Sequence, residues 1–126
     1  MSEPVELPAL AAKLEEVGSA AFLLTVSDSS APHATSVVVE LEDDRLVVSV
    51  GRKSRRHLEA RPSATFLWPA VPGGGYSLIV DGTFVRAREP DAEGGVVEIE
   101  PTAAILHRLA DATGRGPKCV PVTSSS

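Results

Sequence analysis

Three short apolar stretches in quick succession constrain this chain most. They are Ala20–Ser27, His33–Leu41 and Arg45–Val50, all rich in Val, Leu, Thr or Ser. Only Asp28-Ser-Ser-Ala-Pro32 separates the first two, and only Glu42-Asp-Asp44 the last two. A parallel crossover needs about a dozen residues, so connections this short demand antiparallel neighbours. The three stretches therefore read as a meander. The first is apolar nearly throughout, as expected of a buried strand.

The rest of the chain continues this theme. Pro62 opens a fourth strand over Ser63–Ala70, and Pro69, Pro72 and Gly73-Gly-Gly75 then interrupt it. A fifth strand is expected over Tyr76–Arg88. Asp81-Gly82 inside it reads as a bulge, because the apolar pattern resumes at Phe84 and Val85. Glu89–Gly95 reads as a loop, and Val96–Glu100 alternates as a strand does. Ala103–Leu109 allows either a helix or a bulged continuation of that strand. Leu7, Leu10, Ala11, Leu14 and Val17 fall at helical spacing, and Gly18 supplies the stop. Six strands with one short internal helix predict a mainly β protein, a six-stranded antiparallel barrel closed on itself to remove its edges, with short peripheral helices. The 126 residues suit one domain over 1–126, with an N-terminal helix within 1–18 and a Ser-rich tail at 117–126.

Charge and composition exclude several function classes. The formal charge is −5, which argues against a general nucleic-acid binder. Cys119 is the one cysteine, so neither an internal disulfide nor a thiolate metal cluster is expected. That usage suits a reducing cytoplasm. No apolar run is long enough for a membrane span. The acidic start, Met1-Ser-Glu-Pro-Val-Glu-Leu7, does not read as a signal peptide.

Against this acidic background, four of the twelve Lys and Arg residues lie between Arg52 and Arg56. They sit in Gly51-Arg-Lys-Ser-Arg-Arg-His-Leu-Glu-Ala-Arg-Pro62, between the third and fourth strands. Ser54 is placed to cap a short helix over Arg55–Ala60, whose free N–H groups and dipole would favour an anion. Arg52, Lys53, Arg55 and Arg56 can add charge-assisted bonds to phosphate, although they cannot all reach one ligand. The bland alternative is a solvated basic turn. Arg61 is expected to tie down the end of the helix.

Other residue types give weaker signals. Trp68 and Tyr76 flank the Pro69–Gly75 segment, where they could wall a planar ligand or sit in a dimer interface, with packing the plainer role for Trp68. Thr35 and Ser36 lie on opposite faces of the second strand, so at most one meets a ligand there. His33, His57 and His107 show no metal-ligand spacing, and no metal site is expected; any one of them could still ligate haem iron. Lys118 beside Cys119 could lower the thiol pKa, but no acid–base partner is visible. There is no nucleotide-binding Gly motif and no Ser-His-Asp pattern with family spacing.

Taken in order, Ala21-Phe-Leu-Leu-Thr-Val-Ser27, Ala31-Pro-His-Ala-Thr-Ser-Val-Val-Val39, Ser54-Arg-Arg-His-Leu58, Arg61-Pro-Ser-Ala-Thr-Phe-Leu-Trp68 and Ser77-Leu-Ile-Val-Asp-Gly-Thr-Phe-Val85 resemble the FMN-binding split β-barrel family, the pyridoxamine 5′-phosphate oxidase-like proteins. The resemblance runs from about Ala20 to Val85. It implies a homodimer with FMN at the subunit interface, a small-molecule substrate and flavin-dependent oxidoreductase activity. It also implies that Ser54, Arg55 and Arg56 bind phosphate, with Arg52 and Lys53 beside them. Ser36, Val37 and Val38 would run along the flavin ring. His57 departs from the family, where Asn is frequent. The segment with which pyridoxamine 5′-phosphate oxidase recognises its vitamin substrate has no counterpart, so that activity is not expected. The same fold also serves deazaflavin (coenzyme F-420) reductases and non-catalytic flavin- or haem-binding proteins, and membership alone does not choose between them.

Overall fold

Each of the three meander strands exchanges hydrogen bonds with the next, and the sheet they begin curls until it meets itself. The structure is a computed structural model that describes residues 2–70 and 75–108. Its elements are β1 (Ser2–Val5), α1 (Leu10–Val17) after a 3-10 turn at Leu7–Ala9, β2 (Ala20–Val26), β3 (Pro32–Glu42), β4 (Arg45–Gly51), α2 (Arg52–Ala60), β5 (Ser63–Trp68), β6 (Tyr76–Asp91) and β7 (Gly94–Arg108). The sheet order is β1-β7-β4-β3-β2-β5-β6, and β6 pairs again with β7. Six strands thus form a closed antiparallel barrel, as the short turns require. Cys119 and the 117–126 tail lie outside the described residues, as does most of the Pro69–Gly75 connector.

Alternation builds the core. Along β2, Ala21, Leu23 and Thr25 point inward while Ala20, Phe22 and Val26 point out. Leu23, Leu46, Phe66, Val80, Val97 and Ile99 are all fully buried. Leu58 of α2 plugs the same core, and Trp68 joins it, donating its indole N–H to the Gly18 carbonyl at 2.9 Å. Asp43 and Asp44 have φ values of +50° and +65°. This is the left-handed pair that a tight two-residue hairpin needs, and Asp tolerates it. Gly18 ends α1 at φ +89°, its N–H bonded to the Leu14 carbonyl.

Four local expectations are corrected. The internal helix begins at Arg52, not Arg55, and Gly51 is its N-cap without a side-chain bond. Ser54 therefore lies inside the first turn and caps nothing. The span 89–95 is not a loop, because β6 runs to Asp91 and β7 restarts at Gly94 around a tight turn. Gly94 makes this possible, since a Cβ there would stand 2.0 Å from the Val50 carbonyl oxygen. The irregularity at Asp81-Gly82 is real, but the extra residue is Thr102 on the partner strand, since Asp81 faces Ala103 and Gly82 faces Pro101. Finally, β1 was not foreseen. It fills the edge that the second half of β7 exposes once β4 has ended, a purely tertiary opportunity. The open choice at 103–109 resolves as strand up to Arg108, with residue 109 outside the described residues.

Candidate functional site

The first turn of α2 contradicts the usual charge preference of a helix. N-termini favour acidic residues and a capping side chain. Here the first turn holds Arg52 and Lys53, no acidic residue and no side-chain cap. Free backbone N–H groups and cations of the same sign as the dipole end are left together. On electrostatic grounds an anion would be favoured there.

Helical geometry sorts the α2 side chains onto three faces. Ser54 and Leu58, four residues apart, face the barrel and are buried. Arg52, Lys53, Arg56, His57 and Ala60 share the face that lines an open cleft of about 920 Å³. The opposite wall comes from the β2–β3 turn and the start of β3, through Ser27, Asp28, His33 and Thr35. Ala92 and Glu93 of the β6–β7 turn close the end next to Gly51. Ser54 also reaches the cleft; it is 3% exposed, and its hydroxyl has no hydrogen-bond partner among the described residues.

Arg55 takes the third face. Its guanidinium bonds Glu59 at 3.4 Å and the Asp91 carbonyl at 2.9 Å. It clamps α2 to the β6–β7 hairpin and does not line the cleft. Arg61 holds the opposite end, bonding Asp28 Oδ1 at 2.9 Å and the Asp28 carbonyl at 3.3 Å, and so ties down the helix end as expected.

Of the residues singled out from sequence, the structure brings Arg52, Lys53, Ser54 and Arg56 together around one cleft. It places Arg55 behind them and Trp68 in the core at 2% exposure. Val37 is also core. Ser36 and Val38 lie on the outside of the barrel, Val38 at 61% exposure. They lie beside a row of apolar residues on that outer face. In register across neighbouring strands, Phe22 of β2 meets Leu67 of β5, Leu67 meets Ile79 of β6, and Ile79 meets Ile105 of β7. Ala20 faces Val38 beside this row.

Sequence reasoning undervalued His33, Thr35 and His57. Period-two alternation was the available signal, because it places His33 and Thr35 on the same side as Val37. His57 Nδ1 lies 2.9 Å from Oγ1 of Thr25, which is buried at 2% exposure. The His33 ring stands edge-on to it, with centroids 5.1 Å apart. Burial first, then the adjacent His33, push the His57 pKa below its ordinary value, while Asp28 pulls it the other way.

On the far flank of the barrel, Glu98 projects from β7 yet is only 3% exposed. It accepts bonds from Arg88 at 2.7 Å, Arg45 at 2.8 Å and Arg86 at 3.1 Å. The guanidiniums of Arg88, Arg45 and Arg86 hold its carboxyl at about 2, against the opposing effect of burial. This cluster pins β4, β6 and β7 together and is separate from the cleft. Among the described residues no group of three or more His, Cys, Asp or Glu could hold a metal, and no helix is long and apolar enough to cross a membrane.

No family model matches the chain. Two uncharacterized mycobacterial proteins, Mb0449c of Mycobacterium bovis and MT0457 of Mycobacterium tuberculosis, are each 37% identical to it over 120 residues, spanning 86% of this chain and 84% of theirs. Among solved structures, a FAD-binding protein from Mesorhizobium loti superposes with a TM-score of 0.62 at 14% identity, over 84% of this chain and 96% of its own. A Clostridium acetobutylicum protein related to general stress protein 26, of the pyridoxinephosphate oxidase family, gives 0.63 at 9% identity, over 82% and 91%. An F-420 reductase gives 0.59 at 16% identity, over 68% and 88%. The closed six-stranded barrel, its inserted α2 and these likenesses agree: the chain belongs to one family with the two mycobacterial proteins and has the split β-barrel fold of the pyridoxamine 5′-phosphate oxidase-like proteins.

Proposed function

We propose that this protein is a flavin-dependent oxidoreductase that binds FMN through its phosphate at the N-terminus of α2. One observation carries the reading: an uncapped helix N-terminus, Arg52, Lys53, Arg56 and the buried Ser54 converge on one cleft. These groups fit a phosphomonoester, which carries close to two negative charges and accepts several hydrogen bonds. Lys53 and Arg56 supply charge, Ser54 donates its hydroxyl, and the backbone N–H groups of the first turn add the helix dipole. The flavin, when bound, supplies the redox chemistry; the protein orients it and sets its polarity.

A homodimer belongs to the same proposal. The cleft is open, and a ligand the size of FMN needs most of its surface enclosed. The apolar row Phe22–Leu67–Ile79–Ile105 lies on the outside of the barrel, Phe22 at 40% exposure and the other three half-buried among the described residues. A second copy, related by a two-fold axis, would cover that face and supply the missing wall. A small-molecule substrate would reach the ring from the same side. The expected compartment is the cytoplasm.

A deazaflavin reductase is the second reading. It is favoured by the F-420 reductase among the fold's neighbours and by a phosphate-binding turn that would serve either coenzyme. The absorption spectrum of the protein purified from its native host separates the two. FMN absorbs near about 450 nm and the deazaflavin near about 420 nm. Titration of the apoprotein with each coenzyme completes the test. A protein that binds neither at micromolar concentration would overturn the proposal.

A further inference from the structure

Two imidazoles, one from each wall, meet in the cleft beside the α2 cations. His57 projects from the same helix face as Lys53 and Arg56, and His33 meets it edge-on with ring centroids 5.1 Å apart. The buried Thr25 hydroxyl occupies His57 Nδ1 at 2.9 Å. That leaves Nε2 as the ring nitrogen available to take a proton or to meet a ligand.

The surrounding charges decide what this pair does. Around His57 stand His33 on β3, Asp28 in the β2–β3 turn, Lys53 on α2 and Arg61 just after it. Arg52 and Arg56 of α2 and Glu93 of the β6–β7 turn complete the charge of the cleft. Asp28 is already paired with Arg61. The remaining cations make a positive charge on the imidazoles costly while the cleft holds only solvent. A dianion at the α2 N-terminus reverses the sign of that local field.

We propose that the His33–His57 pair is the proton-accepting wall of the anion cleft: a dianion bound at the α2 N-terminus draws a proton onto the pair, so phosphate-type ligands bind with proton uptake and bind more tightly as pH falls from 8 to 6. This rests on the reading of the α2 N-terminus as an anion site. Linkage fixes the sign. A ligand that raises the proton affinity of the pair is itself bound more tightly, by the same factor, when the pair is protonated. The lowered pKa of His57 fits an imidazole that is neutral before the anion arrives.

Inorganic sulfate is the suitable probe, because it stays a dianion across this pH range and any pH dependence belongs to the protein. The ring Cε1–H signals of the three histidines, assigned with single His→Gln variants, are followed by NMR from pH 5.5 to 8.5. Sodium sulfate is compared with sodium chloride at matched ionic strength, and backbone amides are recorded in the same samples. The amides of Arg52, Lys53 and Ser54 are expected to shift with sulfate. The titration midpoint read at His33 and His57 should rise by about one pH unit, a tenfold gain in proton affinity. His107, on β7 outside the cleft, should keep its midpoint. Sulfate should bind about five- to tenfold more tightly at pH 6 than at pH 8, and His57→Gln should flatten that dependence. If the α2 amides shift while the pair's midpoint stays fixed, the proton-accepting role is refuted and the anion site stands. If sulfate leaves the α2 amides unmoved, both readings fall. The midpoint is read in the unmutated protein, so the test does not depend on how the variant folds.

Discussion

Removing Lys53 and Arg56 together should cost the protein most of its grip on FMN phosphate. Both side chains line the cleft beside the uncapped first turn of α2 and both are exposed, so Lys53→Ala/Arg56→Ala leaves the core intact. A hydrogen bond to a charged group contributes about 1.5–3 kcal/mol. Solvent reaches both residues, so the lower end applies, about 1.5 kcal/mol each, or roughly tenfold in affinity for either alone. The two are neighbours on one anion, so their effects are not additive, and the double variant should lose between about tenfold and a hundredfold. Fluorescence titration of the apoprotein with FMN measures this. Riboflavin, which lacks the phosphate, should bind wild type and double variant alike. Arg55→Ala is the informative comparison, because Arg55 points to Glu59 and the Asp91 carbonyl. It should affect stability more than FMN affinity. Unchanged FMN affinity in the double variant would make the turn a solvated basic loop. An equal loss for riboflavin would move the two cations from the phosphate to the ring or the subunit contact.

Other substitutions probe the supports of the site. Gly94→Ala places a Cβ 2.0 Å from the Val50 carbonyl oxygen at a φ of +144°, and backbone cannot yield as a side chain can. A loss of about 2 kcal/mol or more is expected in chemical denaturation, and an unchanged midpoint would refute the close packing of hairpin on helix start. Glu98 has a folded pKa of about 2 against an ordinary 4.5. Its contribution to stability is therefore complete above about pH 4.5 and is lost as pH falls towards 2. Thermal melts of Glu98→Gln should accordingly show a weaker dependence on pH in that window than the wild type, and parallel curves would contradict the assignment. Phe22→Glu puts a charge on the most exposed residue of the outer apolar row, at its β2 end. Light scattering should find a dimer for wild type and a monomer for the variant, whereas a wild-type monomer with cofactor bound would exclude the shared site.

The chain's order of apolar runs and short turns was enough to determine an antiparallel barrel. Turns of two to five residues leave β2–β3 and β3–β4 no other arrangement, and period-two alternation names the inward side of β5; β2 is apolar nearly throughout, and only the fold shows which of its faces is buried. Cation density alone located the cleft at α2, because charge clustering is a local property that survives any folding. The face on which each charge falls is not local. Arg55 and Arg56 are adjacent in sequence, yet helical rotation sends one to the Asp91 carbonyl and the other into the cleft. Starting the helix at Arg52 in place of Arg55 changed that assignment, and Gly94 of a distant hairpin packs closely against Gly51 where the helix begins. The same holds for Trp68, whose indole finds the Gly18 carbonyl, and for the meeting of Thr25, His33 and His57 from three separate elements. Those contacts join residues up to 50 positions apart, and only closure of the barrel brings them within reach.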